Sequence, residues 1–149
     1  MTAATDRAAR AGLVFLAWHA AHGYADHIGQ RPHDAEHKGD PGWPGRIACA
    51  RHVAGLTATK AVALGLALAA TGVRLNPRSV AAAMAADAIT HYVIDRRAPL
   101  ARFAEAIGKG GFYRLGDPKA APVGTGAYAM DQAAHDVPLA AASVLAALG

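Results

Sequence analysis

Four long, mostly apolar stretches alternate with two polar ones along the chain. The first, about Arg7 to Gln30, is apolar on most sides through Leu13, Val14, Phe15, Leu16, Trp18, Tyr24 and Ile28. Its polar residues His19, His22, Asp26 and Gln30 follow one another at spacings of three, four and four, which is one stripe of an α-helix. A solvent face normally carries Lys, Glu and Arg, so a stripe of His, Asp and Gln reads as an inward seam. Asp6 or Thr5 is the expected cap, and Arg31-Pro32 the expected end. Pro32 to Arg46 then reads as a long polar loop around Trp43, of the kind that serves as a lid.

A second helix is expected from about Ile47 to Thr71, broken near Gly55 and stopped by Gly72. A third runs from Pro77 or Arg78 to about Arg97, followed by a short helix from Leu100 to Ile107. Gly108 to Gly126 reads as a second long loop, and Ala127 to Leu148 as the last helix, kinked at Pro138. The pattern predicts one all-α domain over residues 1–149, a four-helix bundle-like core with two long polar loops.

Composition agrees with that picture and narrows the function. The chain is rich in alanine, the best helix former, and poor in aromatic residues. A net charge of +4 suits an anionic small-molecule ligand, yet no Lys/Arg run or aromatic-basic interleaving marks a nucleic-acid binder. The single Cys49 excludes an internal disulfide and a cysteine zinc cluster. The apolar N-terminal stretch lacks a cleavage site, so no signal peptide is expected. Every run approaching the length of a membrane span includes Lys60, Asp87 or a His/Asp pair, which predicts a soluble, cytoplasmic protein; an integral or peripheral membrane location is the alternative.

The candidate chemistry lies in one-turn His/Asp pairs. His91-Tyr92-Val93-Ile94-Asp95 sets an imidazole and a carboxylate on one helical face, with Asp87 extending the row. The same spacing occurs in His22 and Asp26 and, reversed, in Asp131 and His135. Burying such groups without partners is costly, and imidazole with carboxylate is a ligand set for zinc, manganese or iron. The expected divalent-metal ligands are His22, Asp26, His52, His91, Asp95, Asp131 and His135, either around two ions or around one ion with orienting carboxylates. Asp26 or Asp131 would take a proton from water. Lys109, Arg114 and Lys119, in a glycine-rich segment that is no Walker motif, form a candidate anion clamp. His33-Asp34 follows a proline in the first loop and reads as a solvated chance pair.

The ordered set His22-Gly-Tyr-Ala-Asp26 with Gln30, His52, His91-Tyr-Val-Ile-Asp95 and Asp131-Gln132-Ala-Ala-His135 resembles an uncharacterised family of small helical bacterial and phage proteins, often predicted to lie in membranes. This chain is richer in alanine and glycine than the leucine-rich members. The resemblance implies a shared site and carries no activity. From the residues themselves, the expected function is a metal-dependent hydrolase of a phosphate ester or nucleotide. The alternative is a non-enzymatic helical protein whose His/Asp cluster is structural.

Overall fold

The structure is a computed structural model that describes residues 2–148. Helix α1, Ala3–Tyr24, continues as a π-helical turn, Ala25–Gly29. It is followed by α2 (Pro32–His37), α3 (Gly42–Thr71), α4 (Pro77–Asp95), α5 (Ala98–Ala106), α6 (Gly110–Tyr113), a 3-10 turn (Pro122–Gly124) and α7 (Gly126–Ala146). The described residues contain no strand, and the fold is all-α.

The four long helices form an up-down-up-down bundle. Each packs on its neighbours in the ring α1–α3–α4–α7, so that α1 lies diagonal to α4 and α3 to α7. The α1–α3 and α4–α7 connections meet at one end of the bundle, here the site end. The termini and the α3–α4 turn share the opposite end. Near that opposite end the interior is apolar, built from Val14, Trp18, Leu64, Ala83, Leu139, Ala142 and Ala146.

The helix boundaries follow from local chemistry. Thr2 caps α1, Asn76 caps α4 and Thr125 caps α7, each side chain accepting from a backbone N–H of the first turn. Gly72, at φ +70°, closes α3 in the left-handed conformation that glycine takes without strain.

Several expected boundaries are corrected. Pro32 to Arg46 is not a long loop: Pro32 opens α2, α3 begins at Gly42 with Pro44 in its first turn, and only Lys38 to Pro41 connect them. Proline fits the first helical turn, where its missing N–H has no bond to lose. For the same reason α5 begins at Ala98, ahead of Pro99. Helix α3 runs unbroken through Gly55, and the second loop carries α6 and a 3-10 turn. Helix α7 runs through Pro138, as expected.

Polarity is inverted relative to an ordinary bundle. His22, His52, Lys60, Asp87, His91, Asp95 and His135 are buried, while large apolar residues of all four long helices face outward. Helix α3 is long and apolar enough to cross a membrane, with a mean hydropathy of 1.7 over an 18-residue stretch of which 22% is buried.

Candidate metal centre

Each wall of the bundle delivers side chains to one buried cluster near the site end. Helix α1 supplies His22 and its π-helical turn Asp26, α3 supplies His52, α4 supplies His91 and Asp95, and α7 supplies His135. The widened turn at Ala25–Gly29 departs from α-helical register where Asp26 must reach inward; single π turns of this kind recur at functional sites.

The distances are those of a ligand set. His52 Nε2 lies 2.9 Å from Asp26 Oδ1 and 3.1 Å from His91 Nε2, and His91 Nε2 lies 3.9 Å from Asp26 Oδ1. Three ligands on one face of a tetrahedral ion with bonds of about 2.1 Å would be roughly 3.4 Å apart. Asp95 Oδ2 stands 3.1 Å from His91 Nε2 and 3.3 Å from His52 Nε2. His22 Nε2 holds Asp26 Oδ2 at 3.0 Å from the other side. Asp26–His52–His91 and His91–Asp95–His135 are two overlapping sets that could hold a metal, with His91 common to both.

The polar bookkeeping points the same way. His22 Nδ1, His91 Nδ1 and His135 Nε2 are buried without a hydrogen-bond partner among the described residues. Native interiors rarely leave such atoms unsatisfied. The buried carboxylates Asp26 and Asp95 face one ammonium, Lys38, whose Nζ is 2.8 Å from Asp95 Oδ1. One step deeper, Lys60 and Asp87 are both buried and neutralise each other at 2.7 Å. A divalent cation at the cluster would offset the carboxylate charge in place of protonated imidazoles.

A cavity of about 550 Å3 opens onto the cluster, with Asp26 and Asp95 in its lining. Asp131, Gln132 and Tyr128 of α7 form one wall, Tyr113 of α6 another, and Lys38 and Arg97 supply the positive side. Burial raises the Tyr113 phenol above its usual range, which keeps it a hydrogen-bond donor. Asp131 is set apart from the buried carboxylates: its side chain is one-quarter exposed, and its backbone carbonyl accepts from His135 Nδ1 at 2.8 Å.

Six of the expected ligands, His22, Asp26, His52, His91, Asp95 and His135, therefore converge, and Asp131 borders them. Lys109, Arg114 and Lys119 do not line this cavity; they are exposed, and Arg114 pairs with Glu105. The cations that do line it, Lys38 and Arg97, belong to short connections without periodicity, so spacing offered no signal for them. Arg97 adopts φ +58°, which a non-glycine residue rarely does, and donates to the Ala35 carbonyl.

His33 is exposed and lies outside the cluster, but Asp34 is not the solvated residue expected. It is buried against α3, where Arg51 Nη2 donates to its Oδ1 at 2.5 Å. No family model, curated protein or solved structure matches this chain.

Proposed function

We propose that the protein is a metal-dependent hydrolase acting on a phosphate ester or nucleotide through the His/Asp centre inside its bundle. The observation that carries this reading is the triad Asp26–His52–His91 at ligand spacing beside an open cavity. A structural site closes all its coordination positions, whereas a catalytic one keeps a position for water or substrate. The two candidate ligand sets overlap at His91 within one cluster. That favours one ion, with His22, His135 and the remaining carboxylate orienting the ligands.

When bound, a zinc, manganese or iron ion supplies Lewis acidity and lowers the pKa of a coordinated water toward about 7. Lys38 and Arg97 hold the anionic phosphoryl group at the cavity wall, the role first expected of Lys109, Arg114 and Lys119. Asp131, partly exposed and free of the triad, takes a proton as the water oxygen bonds to phosphorus and the ester P–O bond breaks. The same proton then passes to the leaving alcohol oxygen, and the carboxylate is regenerated.

The second reading, a non-enzymatic protein with a structural cluster, draws on the direct His–Asp pairing of His22 with Asp26 and His91 with Asp95. One assay separates the two. Full-length protein is loaded with each metal and given an aryl phosphate ester or a nucleoside triphosphate. The hydrolase reading expects metal-dependent phosphate release, lost in His91→Ala and reduced about 10²–10⁴-fold in Asp131→Asn with metal retained. Metal binding with no release from either substrate supports the structural reading.

A further inference from the structure

The outward-facing apolar surface has a consequence that is independent of the reaction. It is a belt rather than a patch. Leu16 on α1 is 69% exposed, Leu66 on α3 67%, Ile89 on α4 65% and Val137 on α7 73%. A surface that covers one partner would occupy one side; this one runs round all four helices of the ring.

From Val53 to its end at Thr71, α3 offers 19 residues, about 28 Å of helix. Its one charge, Lys60, is 1% exposed and ion-paired to Asp87. The charges that argued against a span at the level of composition are therefore turned into the bundle. Outward hydroxyls are satisfied within their own helices: Thr59, Thr71 and Thr90 each donate to the carbonyl four residues back, an arrangement that needs no water. The exposed titratable pair within the belt, His19 and Asp136, closes on itself across the α1–α7 groove at 3.4 Å.

The two ends differ in charge. Arg7, Arg10, Arg74 and Arg78 mark the opposite end, while ten of the fifteen Lys and Arg residues belong to the site end. Short connections rich in Lys and Arg remain on the cytoplasmic side of a bilayer. Trp43, exposed at the start of α3, and Phe103 and Phe112, exposed on α5 and α6, lie at that end, where aromatic rings suit the lipid headgroup region.

We propose that the belt is covered by lipid: the four long helices cross a bilayer, with the His/Asp cavity opening to the cytoplasmic side and both ends of the chain described here on the other.

The test uses the full chain expressed in bacterial cells. Membranes are washed with high salt and then with alkaline carbonate, and sidedness is read with a membrane-impermeant maleimide. The probes are Thr5→Cys and Ala120→Cys, each in a Cys49→Ala background. The expected result is a carbonate-resistant protein, with Thr5→Cys labelled in intact spheroplasts and Ala120→Cys labelled only after permeabilisation. Leu66→Lys should lower the membrane-inserted fraction several-fold, because it sets a charge against lipid. Release by carbonate, or a monodisperse oligomer obtained without detergent, would overturn the proposal and assign the belt to a second copy of the chain. Reversed or equal labelling of the two probes, or full insertion of Leu66→Lys, would overturn it as well.

Discussion

Lys60 and Asp87 illustrate how a single buried charge can be tolerated only by its partner. Both side chains are buried and joined at 2.7 Å one step below the His/Asp cluster. Removing one partner strands the other charge, at a cost of about 3–5 kcal/mol, whereas an apolar pair of similar volume can be nearly neutral. Lys60→Met should therefore destabilise the protein by that amount, and Lys60→Met with Asp87→Leu should recover most of it. Denaturation of the two variants checks this; equal losses would show that the pair does not act as a unit. The same reasoning separates residues within the site. His91 touches His52 of α3 and Asp95 one turn along its own helix, so its loss disrupts the whole ligand set. His33 is exposed and touches none of them.

Helix ends and inter-helix ties set where those residues point. Gly126 starts α7 where a Cβ would meet the Phe112 carbonyl, so Gly126→Ala forces α6 away from α7. Thr125 caps the same helix by accepting from the Tyr128 N–H. Thr125→Ala should cost about 1 kcal/mol, and Gly126→Ala more, as read by chemical denaturation. Helix α2 is held to α3 by Asp34 and Arg51. The guanidinium keeps the Asp34 carboxyl below the usual carboxylate range, so the tie is fully present above the ordinary carboxylate pKa and is lost as pH falls through the lowered one. Asp34→Asn should lower the melting temperature at neutral pH, and the difference from wild type should close in acid. A constant difference at all pH values would refute the ion-pair account. The long helices and the His/Asp stripe were legible because a period near four repeats over several turns. The short helices were not, because Pro32 and Pro44 signal a helix start as readily as a break. Lys38 and Arg97 were illegible for a different reason: their positions at the cavity depend on how α2 and α5 dock, which no local spacing encodes.

At the scale of the whole molecule, the bundle has two interiors. One end is packed with Trp18, Leu64, Leu139 and their neighbours, and Trp18→Ala there should cost about 3–5 kcal/mol by leaving a cavity. The other end is held by the polar cluster, where an ion at Asp26, His52 and His91 would tie the turn that ends α1 to α3 and α4. Metal binding and folding are then coupled, and saturation at about 1,000 times Kd adds roughly 4 kcal/mol, or about 10 °C in melting temperature for a chain of this size. The direct test is metal content together with melting temperature for the full chain purified without a histidine tag, alongside His91→Ala and His33→Ala. The account predicts about one divalent ion per wild-type chain, retained by His33→Ala and lost by His91→Ala, with chelation lowering the wild-type melting temperature to near that of His91→Ala. A wild-type protein without metal affinity, or a His91→Ala variant that loses stability while keeping its metal, would contradict it.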